Sequence, residues 1–176
     1  NHLLSGVNKI YQGVEVSLSI PINSMFTVST AGTYADYRYT DDAMGIKSYE
    51  NGAVNDISEK VLINGLRISA GPQMAANITL DFFYERWFAD ITLNYYDNNY
   101  LDFAPNRFTE SNQQTLKTYP DLYEKLGKQE KLQGGFMLDA SVGKLIYLKN
   151  RNSLNFNLSV SNVLNNTNMI TGGYQQ

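Results

Sequence analysis

The side chains best suited to chemistry are few in this chain. His2 is the single histidine and there is no cysteine. A catalytic triad, a histidine-based metal site and an imidazole proton shuttle each need a placed histidine, and thiol chemistry or a disulfide framework needs cysteine. His2, at the start of the sequence, reads as inert. Asp41-Asp42 offers carboxylate oxygens of the kind that Ca2+ gathers, about six to eight at a time. No further ligand stands beside the pair at tight spacing, so it reads as an acidic turn. The expectation is a protein that is not an enzyme and has no metal site and no cofactor. What remains is a set of polar side chains at alternating positions: Asn77, Asp81, Asp90, Asn94, Asp139, Asn155 and Asn157. Their amides and carboxylates can line a solute path or meet another polar surface, and their ordinary role is that of solvated wall residues. Tyr95, Tyr96, Tyr100 and Phe103 offer stacking faces for a ligand, or more simply an interfacial girdle.

The elements that must position these residues are strands. Val14 to Ile20 alternates apolar and polar side chains, which in a strand point to opposite faces. A short turn, Pro21-Ile22-Asn23-Ser24, leads into a Thr-, Ser- and Tyr-rich return over Met25 to Tyr39. In the second pair, Ile78, Leu80, Phe82 and Tyr84 share one face, and Asn77, Thr79, Asp81 and Phe83 the other. Glu85-Arg86 is the length of a tight hairpin link. Trp87, Ala89, Ile91, Leu93 and Tyr95 then alternate with Asp90, Thr92, Asn94 and Tyr96. The third pair sets Phe136, Leu138, Ala140 and Val142 against Met137, Asp139, Ser141 and Gly143. It turns at Lys149 to Asn152 and returns with Leu154, Phe156, Leu158 and Val160 against Asn155, Asn157, Ser159 and Ser161. Lys144 falls on the apolar face, as a bulge or as a lysine reaching for an interface.

The pairs are separated by long polar stretches, about residues 40–73 and 103–133. Irregular connections longer than about 12–15 residues are uncommon in a compact soluble domain. Both stretches fall on the same side of the strand pairs. Short turns at one end and long loops at the other are the pattern of a transmembrane β-barrel, with turns in the periplasm and loops outside the cell. Residues 119–131 mix Asp, Glu and Lys with Leu122 and Leu126, a pattern suited to a short amphipathic helix. The acidic balance, net charge −3 and pI about 5.1, argues against nucleic acid as a partner. No run of apolar residues is long enough for a transmembrane helix. A mean hydropathy of −0.34 is compatible with barrel strands, which are half polar. Thirteen Tyr, eight Phe and one Trp suit aromatic girdles.

Four segments carry a resemblance. Tyr11-Gln12-Gly13-Val14-Glu15-Val16 resembles the aromatic-x-Gly-Val/Leu-Glu strand opening of TonB-dependent outer-membrane receptors. Gly71-Pro72-Gln73-Met74-Ala75-Ala76 is similar to their Pro-x-x-Ala strand start. Tyr95 to Phe103 is similar to their Tyr, Asn-x-Tyr, Asp strand exit. Leu158 to Asn166 resembles their late Val-x-Asn-Leu-x-Asn motif. The order matches the C-terminal third of such a receptor, of the Bacteroidetes type. The resemblance implies that residues 1–176 are part of a larger barrel in a bacterial outer membrane. The plug domain, TonB box and final aromatic strand of the family would lie outside this sequence, which opens on Asn1 and closes at Gln176. It further implies import of a scarce nutrient (an iron chelate, vitamin, glycan or peptide) energised by TonB. The expected partners are the lipid bilayer, the rest of the barrel and its plug, the TonB complex through the parent protein, and a surface lipoprotein. Val16, Leu18, Leu80, Phe82, Ile91, Leu93, Leu138, Leu158 and Val160 are then expected to face lipid, and the seven Asn and Asp residues above to face the lumen.

Two other architectures fit part of the pattern. A soluble β-sandwich, such as a carbohydrate-binding module, explains the strands, the tyrosines and the acidic pI but not two long loops at one end. A small closed barrel with a structural or adhesive role needs two more strands, one of which residues 1–10 would supply.

Overall fold

The computed structural model describes residues 2–47 and 57–168. In chain order the strands are β1 (His2–Ser5), β2 (Lys9–Pro21), β3 (Phe26–Tyr39), β4 (Ala43–Lys47), β5 (Ile57–Val61), β6 (Met74–Tyr84), β7 (Trp87–Asp97), β8 (Asn99–Tyr100), β9 (Lys131–Leu132), β10 (Gly135–Tyr147) and β11 (Ser153–Val160). Helices α1 (Glu110–Lys117) and α2 (Pro120–Leu126) lie between β8 and β9. No helix among the described residues is long and apolar enough to cross a membrane.

Six strands form one antiparallel sheet in the order β2, β3, β6, β7, β10, β11. Each hairpin turn has a local cause. The Asn23 side-chain oxygen accepts the amides of Met25 (2.8 Å) and Phe26 (2.9 Å), closing the β2–β3 turn as an Asx turn. Glu85 and Arg86 both take positive φ, 44° and 70°, as a two-residue type I′ link requires. The β10–β11 turn is longer: Lys149 to Arg151 is closed by the Leu148 amide on the Asn152 carbonyl at 2.8 Å, with Asn150 and Arg151 at positive φ, 64° and 63°. The sheet is open, with β2 and β11 as its edges, and the described residues do not close into a barrel.

The registers run unbroken across the sheet, so side-chain alternation gives it two distinct faces. Leu18 stands beside Thr30, Thr30 beside Ile78, Ile78 beside Leu93 and Leu93 beside Leu138. The next row is Ile20, Val28, Leu80, Ile91, Ala140 and Val160. This apolar face is not covered: Val16 and Leu158 are each 67% exposed, Leu18 55% and Ile91 52%. Lys144 is not at a bulge, because its pairing with Trp87 on one side and Phe156 on the other is in register. Its ammonium lies 4.3 Å from the centre of the Trp87 ring, a cation–π contact that accounts for a lysine in an apolar row. Next to it, a Cβ on Gly143 would strike the Phe88 ring and the Phe156 carbonyl, so this position accepts only glycine without rearrangement.

The hairpins are stepped along the sheet. The Phe26–Phe82 row lies two residues inside the Tyr84–Trp87 row, and the Tyr147–Ser153 row lies three residues beyond it. At ~3.3 Å per residue and ~4.8 Å between strands, such a step slopes the strands by about 40° from the line of the turns.

The buried apolar core lies beyond one end of this sheet, which reaches it only through Tyr39. Tyr39, Ala43, Val61, Ile63, Ile68, Phe103 and Phe108 cluster at the end opposite the hairpin turns, with Leu4, Val7, Tyr37 and Leu66 packed around them. The expected long loops are therefore a folded cap. It contains the sheet β1-β4-β5, the short pair β8-β9 and both helices. β1 pairs with β4 inside this cap and adds nothing to the main sheet.

Candidate functional site

The polar face of the main sheet brings together the seven residues singled out from the sequence. Asn77 stands opposite Asn94, and Asp81 opposite Asp90. Asp139 pairs with Thr92, Asn155 with Leu145 and Asn157 with Gly143, all on the same face. The nine residues expected to face lipid all lie on the other face, by the same registers.

Hydrogen bonds make the polar face a connected surface. The Asn94 amide donates to the Asp139 carboxylate at 2.8 Å, whose other oxygen accepts the Asn162 backbone amide at 2.8 Å. The Ser141 hydroxyl donates to Asp90. Thr79 and Thr92 are joined at 2.9 Å, Ser19 and Ser29 at 3.1 Å, and the Asn77 side-chain oxygen accepts the Ala31 amide at 3.2 Å. Like charges directly opposite one another, as in Asp81 and Asp90, destabilise a strand pair. With Glu15 and Asp139 they give this part of the sheet four carboxylates, and the strand positions between them on this face hold no Lys or Arg. The resulting potential favours a neutral or cationic neighbour over an anion. Near the cap the face dips into a shallow hollow of about 500 Å³, floored by Ala31, Gly32, Ala75 and Ala76 and rimmed by Glu15, Thr33, Asn77, Asn94 and Tyr96. Glu15, Ser17 and Tyr96 were legible as polar-face positions from the alternation alone. The hollow itself was not, because it depends on small residues of β3 and β6 meeting across the strand pair.

The four aromatic residues at the end of β7 and beyond do not form a platform. Tyr95 lies on the apolar face against Phe136, ring centres 4.8 Å apart, while Tyr96 points to the polar face. Phe103 is buried in the cap, edge-on to Tyr39 at 5.3 Å and to Phe108 at 5.9 Å. Tyr100 sits in β8, paired with Lys131.

Three glutamines hold the cap in place. Buried Gln73 accepts the Tyr37 amide (3.1 Å) and donates to the Tyr37 carbonyl (3.0 Å), so its side chain stands in for a strand residue at the end of β3. Gln129 bonds both backbone groups of Arg67 at 2.7 Å and the Leu101 carbonyl at 2.8 Å, joining the two long connections. Gln113 donates to the carbonyls of Arg107 (2.8 Å) and Gly127 (3.2 Å). Arg107 also donates to the Leu126 carbonyl at the C-terminus of α2, and Arg67 pairs with Asp36 at the rim of the sheet. Asp42 accepts the Asn64 amide at 3.0 Å and pairs with Lys60 at 3.0 Å. Partial burial opposes its ionisation, but the Asn64 amide and the Lys60 ammonium together hold its carboxyl below the usual range. Asp41 instead receives the Asn8 side-chain amide at 2.9 Å. The acidic pair thus closes the cap, and among the described residues no cluster of His, Cys, Asp and Glu is arranged to hold a metal ion. The helix expected within 119–131 is α2, but Leu122 and Leu126 are exposed, 47% and 42%, and do not form a packed stripe. Helix α1 holds a single apolar residue, Leu116, so no apolar stripe marks it in the sequence.

No family model, no curated protein and no solved structure matches this chain.

Proposed function

We propose that this chain is a stretch of the wall of an outer-membrane β-barrel of the TonB-dependent receptor type, carrying part of its outward-facing surface. The observation that carries this reading is the uncovered apolar face, bounded at both ends by aromatic residues. At the turn end stand Phe26, Phe82, Tyr84, Trp87 and Phe156; at the cap end stand Tyr34, Tyr95 and Phe136. Between them the side chains are almost all aliphatic. The eight steps from Trp87 to Tyr95 span about 27 Å along the strand at ~3.4 Å per residue. Tilted by ~40°, this is about 20 Å, near the ~25 Å apolar band of such barrels. Large exposed apolar patches mark interaction surfaces, and lipid is the partner that fits a smooth face of this height. A sandwich would bury the face under a second sheet, whereas the remaining strands of the described residues pack in the cap.

On this reading β2 and β11 continue into further wall strands, because unpaired backbone groups are not tolerated in lipid. The polar face lines the lumen, where a plug domain sits and a nutrient passes. The carboxylates of this stretch suit a neutral or cationic solute, and the cap helps to catch the ligand outside, with a surface lipoprotein as a candidate partner. TonB drives import through the parent protein. Fractionation of cells making the full-length protein tests this assignment. Recovery in the outer membrane, extraction only with detergent and a heat-shifted band on a gel are expected. Recovery as a detergent-independent soluble protein would overturn it.

A further inference from the structure

The polar face carries a second hollow that runs into the first. It has a volume of about 370 Å³, and its lining includes Tyr11, Gly13, Glu15, Thr33 and Tyr37. Glu15 and Thr33 line both hollows, so the two form one trough. One end of the trough is aromatic. Tyr11 and Tyr37 stand opposite each other, ring centres 5.1 Å apart and tilted by 50°, and Tyr11 is 56% exposed. At the other end is Tyr96, in the row Glu15, Thr33, Ala75, Tyr96. By the registers, Tyr37 and Tyr96 are ~13 Å apart along the strands and ~10 Å across them. The floor between them is low. A Cβ on Gly13 would lie 2.9 Å from the Tyr34 carbonyl, so no larger residue fills that position without a shift.

The lining between the rings is polar and nearly neutral. The Asn77 side-chain oxygen is taken by the Ala31 amide, which leaves its N–H donors for a ligand. Asn94 is the converse: it donates to Asp139, and its oxygen is left to accept. Ser17 and Thr33 add hydroxyls, and Glu15 is the one charged side chain of the lining among the described residues. A sugar matches this pattern. Its C–H face packs on an aromatic ring, its hydroxyls both donate and accept, and it carries no charge. An anion is disfavoured by Glu15 and by the carboxylates further along the face, and a polycation finds only one carboxylate in the trough. We propose that the trough binds a neutral oligosaccharide, with sugar rings stacked on Tyr11 and Tyr96 and hydroxyls bonded to Glu15, Asn77 and Asn94. This gives the solute of the lumen a chemical class. The proposal rests on the barrel reading for how the solute reaches this face, and on the lining for what is bound.

The test is calorimetric titration of the full-length protein, extracted in mild detergent. The probes are neutral hexasaccharides of glucose, mannose, galactose and xylose, with hexagalacturonate and hexalysine as charged counterparts. At least one neutral hexasaccharide is expected to bind, and more tightly than either charged probe. Tyr11→Ala and Tyr96→Ala should each weaken that binding about fivefold, and Glu15→Ala about tenfold. Tyr11→Phe should recover most of the loss seen with Tyr11→Ala, because the ring face and not the hydroxyl makes the contact. Two results would overturn the oligosaccharide site and leave the barrel reading standing, in a protein that still fractionates with the outer membrane and shifts on heating. One is binding of no neutral sugar; the other is undiminished binding by the variant carrying both Tyr11→Ala and Tyr96→Ala. Tighter binding of hexagalacturonate or hexalysine would overturn the assigned class. A protein soluble without detergent would overturn the barrel reading, while sugar binding that is lost in the double variant would still uphold the site.

Discussion

Ile91→Arg is expected to lower the folding stability of the membrane-embedded protein by about 2–4 kcal/mol, the cost of a basic residue at mid-depth on a lipid-facing wall. Ile91 stands between Leu80 and Ala140, midway along β7 between Trp87 and Tyr95. An arginine placed there must reach about 10 Å or more along its strand to either of these aromatic residues. The same substitution at Ile146, at the turn end of the face, should cost no more than about 1 kcal/mol, because the cost falls toward the interface. Ser17→Arg, on the polar face, should be similarly mild. Urea titration of folding into lipid vesicles measures all three. A sandwich core would also reject arginine at Ile91, but without the decline toward the rim. The depth profile is therefore the informative result, and equal costs at Ile91 and Ile146 would contradict lipid exposure.

Phe108→Ala should open the cap while leaving the wall intact. Phe108 is 3% exposed and packs edge-on against Phe103, which in turn meets Tyr39 at the end of β3. Its carbonyl accepts the Leu62 amide at 2.7 Å, so it also fixes the strand β5 against the helical connection. Removing a buried phenylalanine costs about 3–5 kcal/mol through lost burial and the cavity that remains. A core this small has little stability to spare. Amide exchange and protease cleavage across residues 105–130 should rise sharply, and ligand affinity should fall with the lost shape of the cap. The heat-shifted gel band should persist, because the six-stranded sheet shares few side chains with this core. Unchanged exchange in the cap would show that Phe103 and Tyr39 hold it without Phe108.

The two faces of the sheet were readable because strand alternation has a period of two and depends only on residue type. The pairs Ile78 to Tyr84 and Trp87 to Tyr95 needed nothing beyond that rule and a two-residue link. Lys144 broke the alternation, and its explanation is Trp87 on the neighbouring strand, a partner far away in sequence. Tyr95 and Tyr96 looked like one aromatic group, yet adjacent residues in a strand must point to opposite faces, and Phe103 lies beyond the strand altogether. The cap was the least legible part. Its order comes from glutamine side chains bonded to distant backbone groups, as Gln73 does with Tyr37 and Gln129 with Arg67. Such bonds leave no periodicity, so apart from the helical pattern within 119–131 the segments read as polar loops. The sheet's height could be anticipated from strand length, but the stepping of its hairpins needed the registers.

The central claim is that one face of this sheet meets lipid and the other meets water. Single cysteines placed in the full-length protein test it most directly, since residues 1–176 contain none. Leu18→Cys and Leu158→Cys should react with a membrane-soluble maleimide and resist a charged one in native outer membranes. Ser17→Cys and Asn157→Cys should show the reverse, alternating residue by residue along β2 and β11. Equal reaction of all four with the charged reagent would contradict the account and return the sheet to a water-exposed or protein-covered setting.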